Sequence, residues 1–390
     1  MKRTITVLLA SIVLLLTGCW SSSEVDERAL VHGVGFDFNH ERGKLDTYVE
    51  LVKPTSTGES TFHSDNLVLK LTSDTPLNAA REFIRYAKRR LYFGNSQIWI
   101  IGEQLAKEPF VPLFDVIRRD SMNRLNSYIF ITKDDIGEIF STPTLYENLT
   151  SDEIASALHQ TTFTSDFIPV KLYEFIKLNE ERLQTAYLPI INIVENISGK
   201  ITSIAGTAVI KDNRMIGELT IDETFGLSLL TDNARGGIVT VPKLDEGQII
   251  SLEVKEIKTS TTTELDGENL YAKIEVEMRG QLGDNILFES VDIDEKFLRE
   301  AEQLIEKEIS QTIENTLKKL QEFEADISNI GIVTYREYPD QWRDIESIYH
   351  EKIFPNSMID IDVTVDIFHQ GLIDRSVNSS DKKPEFPFFK

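Results

Sequence analysis

Strand-like and helix-like patterns alternate along the first part of the chain. Residues 29–52 form two apolar stretches around a polar turn, which predicts a β-hairpin, and residues 67–71 alternate as a third strand would. Pro76 follows a threonine and predicts the start of a helix, because proline is favoured at the first helical position. Buried-strand runs at 97–102 and 127–132 flank a further helical stretch. This alternation favours a layered α/β arrangement.

The second part of the chain is richer in β patterns and contains one long helix. Two strands flank a predicted hairpin turn at 211–214. Apolar residues recur at spacings of 3 and 4 from Phe297 to Phe323, which predicts one helix of about 30 residues. Residues 359–367 alternate strictly between apolar and mostly polar, as a strand does. We therefore predict an α+β fold of mixed sheets and helices, in which this long helix packs on an antiparallel sheet.

The first 19 residues predict export and lipid attachment. Lys2 and Arg3 precede an apolar run over 5–16, which is too short for a bilayer span of roughly 20 residues but has the length of a signal-peptide core. Thr17 and Gly18 follow the run, and the only cysteine of the chain, Cys19, comes next. This arrangement resembles the lipobox of bacterial lipoproteins, in which the signal is cut before the cysteine and the cysteine carries S-diacylglycerol and N-acyl groups. The alternative is a plain secretory signal with an incidental cysteine.

These changes of pattern predict a three-domain lipoprotein body. A helix start is also expected at Thr150, which with Glu153 has the spacing of a capping box. The predicted segments are a signal peptide (1–18), a lipidated tether (19–28), an N-terminal α/β domain (29–185), a small β-rich middle domain (186–237), a C-terminal α+β domain (238–375) and a disordered tail (376–390).

Composition and charge exclude several classes of function. The 390 residues include 64 acidic and 41 basic side chains, for a formal net charge of −23. Such a balance disfavours nucleic-acid binding, which needs a basic surface, and broad adhesion to anionic lipids. One cysteine excludes an internal disulfide framework and a cysteine-built zinc site.

The sequence shows no constellation typical of catalysis or of a cofactor. Neither G-x-x-x-x-G-K-[ST] nor G-x-S-x-G occurs, and none of the six histidines forms an i, i+4 pair. Gly33-Val34-Gly35 is more typical of a turn or a close backbone approach than of a nucleotide site. Asp360, Asp362 and Asp366 share one strand face, where a solvated surface is favoured over a calcium site because no loop wraps the ion. We expect no enzymatic activity, no cofactor and no metal.

A basic cluster stands out against the acidic chain and is expected on one helix. The cluster consists of Arg81, Arg85, Lys88, Arg89 and Arg90. One interpretation is contact with lipid head groups or with an acidic surface of a partner protein. The other is a solvated helix face balanced by nearby carboxylates.

Three stretches in order resemble the Ger(x)C family of spore germination lipoproteins. The first begins at 18–20 (GCW) and continues through the acidic and apolar residues 24–37; the second covers 87–103 (AKRRLYFG, then a strand ending IGE); the third runs from the end of the long helix through 338–342 (YPDQW) to the last strand. The chain departs from the family pattern at Ser21, Phe36 and Asn95. The resemblance covers about residues 19–375.

This resemblance implies a C subunit of a nutrient germinant receptor. Such a subunit is lipid-anchored on the outer face of the spore inner membrane, and its partners are an A-type membrane subunit and a multi-span B-type subunit. The family fold is three α+β domains without enzymatic activity. An extracytoplasmic solute-binding lipoprotein of a transporter is the alternative function, and a lipid-anchored envelope enzyme is a third. Neither the nutrient nor the stoichiometry is specified by the sequence.

Overall fold

Two β-sheets organise the molecule, and helices pack on them. The computed structural model describes residues 27–53, 66–119, 123–161, 163–197, 199–243, 248–286 and 294–368. The predicted signal peptide and the predicted tail at 376–390 lie outside these residues.

The first sheet has nine strands in a mixed arrangement. They are β1 (Arg28–Asn39), β2 (Lys44–Leu51), β3 (Leu67–Ser73), β4 (Arg90–Tyr92), β5 (Ile98–Gly102), β6 (Tyr128–Thr132), β7 (Thr185–Asn196), β8 (Gly199–Lys211) and β9 (Arg214–Leu219). The order is β3-β2-β1-β5-β6-β7-β8-β9, and β4 pairs with the start of β1. The predicted hairpin of β1 and β2 is confirmed, and β5 and β6 continue the sheet in parallel from β1.

Helices cover both faces of the first half of this sheet. They are α1 (Pro76–Glu82), α2 (Ile84–Ala87), α3 (Glu103–Ala106), α4 (Leu113–Arg119), α5 (Ile136–Phe140), α6 (Thr150–Ala157) and α7 (Leu172–Glu180). A further helix, α8 (Ile221–Leu230), follows β9 and packs against β8 at the other end of the sheet. Alternation along the strands separates two cores. Val34 and Trp99 belong to one, whereas Tyr48 and Ile98 belong to the other, together with α5 and α6.

Two glycines of β1 let α5 and α6 approach the sheet closely. A Cβ atom at Gly35 would lie 2.4 Å from Ile136 Cγ2, and one at Gly33 would lie 2.3 Å from Ser151 Oγ and 2.5 Å from Phe140 Cε1. Only a residue without a Cβ atom fits there. The interpretation of this G-x-G as a close backbone approach is confirmed.

The capping box predicted for Thr150 and Glu153 is wrong. Thr150 is already the first residue of α6, and its backbone N–H donates at 3.0 Å to the buried carboxylate of Glu50 on β2. Glu153 instead accepts backbone N–H groups of Leu145 and Tyr146 at 2.7 and 2.9 Å. The helix start is therefore capped from a strand 100 residues earlier, which no local pattern can indicate.

The second sheet has four strands and carries the long helix. Its elements are β10 (Gly237–Lys243), β11 (Gln248–Asp266), β12 (Asn269–Ile286), α9 (Glu295–Glu322), α10 (Ile330–Glu337), α11 (Pro339–Ile345) and β13 (Met358–Ile367). The strands β10, β11 and β12 are antiparallel as predicted, but β13 pairs with β12 in parallel. The intervening helices return the chain to the other end of the sheet, so that β13 runs in the direction of β12.

The long helix α9 confirms the predicted apolar stripe, and the α+β fold class is confirmed with it. Its buried apolar side chains are Phe297, Ala301, Ile305, Ile309, Ile313, Leu317 and Leu320. Glu302 and Glu306 accept the backbone N–H groups of Ile367 and Val365 at 3.0 and 3.1 Å. Side chains of the helix therefore accept hydrogen bonds from backbone N–H groups on the outer edge of β13, which would otherwise be unpaired.

The nine-stranded sheet crosses the predicted boundary between the first two domains. That boundary lies between residues 185 and 186, at the start of β7, and β7 joins β6 through the parallel pair Ile131 and Ile190. The strands β7, β8 and β9 thus extend the sheet of the N-terminal region. The three-way division into folding units stays a prediction.

Candidate functional site

An apolar cavity lies between one face of the first sheet and the helices α1 and α4. Its volume is about 390 Å³. Phe83 and Phe93 line it, Ile117 of α4 contributes a further apolar wall, and the side chains of Arg119 and Asn123 also line it. A volume of this size falls within the range of small-molecule pockets.

Strand register explains which side chains reach this cavity. Val34 and Phe36 alternate along β1 and point to the same face. In the ladders, Thr47 of β2 stands opposite Phe36, and Trp99 of β5 stands beside Val34. The rings of Phe36 and Trp99 pack with centroids 5.9 Å apart. Four side chains from three adjacent strands therefore form the floor of the cavity.

Two polar atoms of this floor have no hydrogen-bond partner within the part of the chain that the structure describes. They are the hydroxyl of Thr47 and the indole Nε1 of Trp99, whose residues are only 4% and 2% exposed. Buried polar atoms are usually paired, because leaving one unpaired costs about 1–3 kcal/mol. Sequence reasoning missed this site. The available signals were the tryptophan inside a buried strand and a threonine facing it across the sheet.

The predicted basic cluster forms a continuous segment, here called the basic segment (residues 81–90), but it is not one helix. Arg81 lies on α1 and Arg85 on α2, which ends at Lys88 in the left-handed conformation (φ 58°). Arg89 connects to β4, and Arg90 is the first residue of that strand. The expectation of a single helix is wrong because the chain turns at Lys88 to pair β4 with β1.

Within the described part of the chain, most cations of the basic segment have no carboxylate at ion-pair distance. Arg85 lies 3.5 Å from Glu82, in an exposed pair of the kind that contributes little. The side chains of Arg81, Lys88, Arg89 and Arg90 form no ion pair with a carboxylate among the described residues. Exposed cations without an ion pair are also usual on a solvated surface, so both interpretations of this segment stay predictions.

Exposed apolar side chains accompany these cations. Leu77 of α1, which also lines the cavity, is 56% exposed, and Tyr86 and Ile84 of α2 are 55% and 37% exposed. Arginine with aromatic and aliphatic side chains is a composition typical of protein interfaces. The outer side of α1 and α2 is thus a candidate contact surface.

Two of the three aspartates of β13 form ion pairs with cations of the neighbouring strand. Asp362 lies 3.6 Å from the ammonium of Lys273, and Asp366 lies 2.9 Å from Arg279 Nε. No group of three or more potential metal ligands converges within the described ranges. This pairing supports the solvated-surface interpretation of the strand.

The predicted lipid-attachment residue, Cys19, lies outside the described residues, so its role stays a prediction. Among the helices that the structure describes, none combines the length and apolarity needed to cross a membrane.

Two sequence models of spore germination proteins match the chain in order. The first, described as the spore germination protein N-terminal domain, matches residues 21–193, and the second, described as spore germination B3/GerAC like, C-terminal, matches residues 205–371. The chain belongs to the Ger(x)C family of spore germination proteins. The family resemblance is thereby confirmed over most of the chain. The junction of the two matches, at 193–205, falls within β7 and β8, which pair with each other.

Relatives from Bacillus subtilis (strain 168) match almost end to end. Spore germination protein B3 is 22% identical over 369 residues, covering 93% of this chain and 96% of the relative. Spore germination protein KC is 22% identical over 401 residues, covering 95% and 96%. Spore germination protein A3 is 23% identical over 361 residues, covering 90% and 94%.

A solved structure shares the fold. The crystal structure of the GerBC protein matches with a TM-score of 0.59 at 18% identity, covering 86% of this chain and 97% of the other. The α+β architecture of this Ger(x)C protein is therefore that of a known family member.

Proposed function

We propose that this protein is the lipid-anchored C subunit of a nutrient germinant receptor, located on the outer face of the spore inner membrane. It assembles there with A-type and B-type membrane subunits, and it has no enzymatic activity and needs no cofactor. The observation that carries the proposal is the nearly full-length match to spore germination proteins, which extends over both family regions. A transporter's solute-binding lipoprotein would not account for that match.

The position of Cys19 supports membrane anchoring. It is the only cysteine of the chain, and only Thr17 and Gly18 separate it from an apolar run that has the length of a signal core. Cys19 precedes Arg28 by nine residues, which span at most about 32 Å. The start of β1 is therefore held near the membrane surface when Cys19 is lipidated.

The basic segment lies at this same end of the protein. Arg90 of β4 is the direct neighbour of Arg28 in the parallel ladder between β4 and β1. Arg81, Lys88, Arg89 and Arg90, which have no ion pair among the described residues, would then face the membrane region where partner subunits reside, together with the exposed Leu77 and Tyr86. We assign this surface to contact with an acidic surface of the receptor subunits or with lipid head groups.

Affinity purification of the tagged protein from detergent-solubilised membranes of dormant spores tests the proposal. We expect A-type and B-type receptor subunits to co-purify. A tagged lipoprotein of unrelated function from the same spores serves as the control for non-specific recovery. Recovery of a transporter ATPase and permease, or accumulation mainly in growing cells, would contradict the proposal and favour the solute-binding alternative.

A further inference from the structure

We infer that the cavity between α1, α4 and the first sheet binds a small monocarboxylate with an apolar body. This inference goes beyond the proposed function, because a C subunit can assemble with its partners whether or not it binds a ligand itself. It rests on the shape, the lining and the unpaired polar atoms of the cavity.

The walls define the body of the ligand. Phe36, Phe83, Phe93 and Ile117 present aromatic and aliphatic surface to the cavity. At roughly 30 Å³ for each water-sized unit, about 390 Å³ accommodates about a dozen non-hydrogen atoms. Transfer of an apolar body of that size from water into such walls is favourable. A ring or a branched chain with a short polar end fits this description.

The unpaired polar atoms define the polar end. The indole Nε1 of Trp99 can only donate a hydrogen bond, and the hydroxyl of Thr47 can donate one as well. Both residues are more than nine-tenths buried and line the same cavity. Two donors of this kind call for an acceptor group on the ligand.

The charge at the cavity favours an anionic acceptor. Arg119 lines it, and its guanidinium lies 3.9 Å from the exposed carboxylate of Asp115, the limit of an ion pair. With its side chain 82% exposed, Arg119 remains free to turn toward a ligand. Of the acceptors that suit an indole N–H, a carboxylate is also attracted by this cation.

The other unpaired indole nitrogen has a different setting. Trp342 Nε1 is also buried without a hydrogen-bond partner among the described residues, but its ring packs between Tyr349 and Tyr335, with centroids 4.7 and 6.1 Å away. Trp99 instead lines a cavity of ligand size, which is why the inference concerns Trp99.

Equilibrium dialysis of the purified full chain with radiolabelled 3-phenylpropionate tests the inference. 3-Phenylpropan-1-ol is the neutral probe of matched size. We expect saturable binding of one equivalent of the acid, and weaker binding of the alcohol. Ala80→Leu, which places a larger side chain into the cavity from α1, should weaken binding of the acid at least tenfold. Asn78→Leu, an exposed position of the same helix, is the matched control and should bind as the unaltered chain does.

Variants of the polar lining test the assigned roles. Trp99→Phe and Thr47→Val keep size and should each weaken binding of the acid, while Arg119→Gln should remove the preference for the acid over the alcohol. Circular dichroism establishes that each variant is folded.

Three outcomes would overturn the inference. One is no binding at about 10 mM, where even a millimolar complex is largely occupied. Another is equal binding by the Ala80→Leu and Asn78→Leu variants. The third is equal binding of the acid and the alcohol by the unaltered chain, which would exclude the carboxylate class. Absence of binding together with burial of this surface in the purified receptor complex would instead assign the cavity to a partner's side chain.

Discussion

Ser151 of α6 donates both its backbone N–H, at 2.9 Å, and its hydroxyl to the carboxylate of Glu50 on β2. The same carboxylate accepts the backbone N–H of Thr150 and the amide of Asn66, each at 3.0 Å. Burial raises the pKa of Glu50, and these four donors oppose that rise. The Glu50 carboxylate lies at the N-terminus of α6, where the positive end of the helix dipole favours an anion. One buried side chain therefore fixes α6 against the sheet.

We predict that Glu50→Gln destabilises the protein by about 2–3 kcal/mol. The substituted amide would turn an N–H group toward donors of α6, so that at least one backbone N–H loses its acceptor. The free energy of unfolding in denaturant measures the effect. Glu41→Gln, an exposed position on the turn after β1, is the control and should change it little. Equal stability of the two variants would contradict the role assigned to Glu50.

We predict that Thr47→Val stabilises the ligand-free protein by about 1 kcal/mol, because it removes a buried hydroxyl that has no hydrogen-bond partner among the described residues. Thr207→Val is the matched comparison. The hydroxyl of Thr207 accepts that of Thr224 at 3.0 Å, both residues being fully buried. Its loss leaves Thr224 without an acceptor and should destabilise by about 1–2 kcal/mol. Thermal unfolding of the two variants should therefore shift in opposite directions, and a shift in the same direction would contradict the account of Thr47.

His350 joins the N-terminal region to the C-terminal one. Its Nε2 donates to the carbonyl of Leu183 at 2.8 Å, and its Nδ1 accepts the backbone N–H of Asp326 at 3.5 Å. The neutral ring satisfies both contacts, whereas a proton on Nδ1 would face another N–H group. Burial lowers the pKa of His350, and Lys211 adds to this, while the Leu183 carbonyl and the charges of Asp326 and Asp212 oppose it.

We predict that this joint weakens on acidification. Because the pKa of His350 is lower in the folded than in the unfolded chain, its contribution is present above about pH 6.5 and is lost as pH falls through the folded pKa. Between about pH 7.5 and about pH 5.5, the free energy of unfolding should fall more steeply with pH in the unaltered chain than in His350→Gln. His40→Gln, at an exposed histidine, should keep the slope of the unaltered chain. Identical slopes for all three proteins would refute the prediction.

Patterns among neighbouring residues predicted the helices, strands and turns that depend on neighbouring residues alone. The period-two alternation of β13 and the 3-and-4 spacing of α9 are properties of neighbouring residues, and both elements formed as predicted. The turn between β8 and β9 likewise uses two adjacent residues with positive φ, Asp212 and Asn213. Strand pairing between distant segments has no such signature, so the parallel pairing of β13 with β12 was not predicted.

The candidate site depends on contacts of that distant kind. Thr47 and Trp99 meet at one cavity only because β2 and β5 both flank β1. The break in the basic segment at Lys88 follows from the pairing of β4 with the start of β1, since the helix must end for the strand to form. The residue types of the basic cluster could be read from the sequence, but their distribution over two helices, a turn and a strand could not.

We predict that charge reversal in the basic segment weakens receptor assembly. In the triple variant Arg85→Glu, Lys88→Glu and Arg89→Glu, recovery of A-type and B-type subunits with the tagged protein should fall about tenfold or more, equivalent to about 1.4 kcal/mol. The reason is that an acidic partner surface would then meet added negative charge. Quantitative co-purification from spore membranes measures the change, and circular dichroism checks the fold.

The control for this variant changes the total charge equally at a distant surface. Lys296, Arg299 and Lys307 are exposed on α9, and their reversal to glutamate should leave recovery of the partner subunits unchanged. Equal losses in both triple variants would mean that net charge alone matters. Unchanged recovery with the basic-segment variant would return these residues to a solvated surface.

Finally, we predict that Cys19 holds the protein at the membrane through its lipid. Each buried CH₂ of an acyl chain contributes about 0.8 kcal/mol, so a multiply acylated cysteine anchors durably. Without Cys19 the signal is not cut, and the apolar run at 5–16 would then hold the variant in the membrane by itself. In the test, residues 1–18 of the Cys19→Ala variant are therefore replaced by a secretory signal that is cleaved without a lipidated cysteine. Without partner subunits, this variant should move from the membrane to the soluble fraction, whereas Ser21→Ala, with its own signal, should stay membrane-bound. If the Cys19→Ala form stays at the membrane only when A-type and B-type subunits are present, assembly supplies a second attachment. If it stays at the membrane in their absence, the lipid anchor is contradicted.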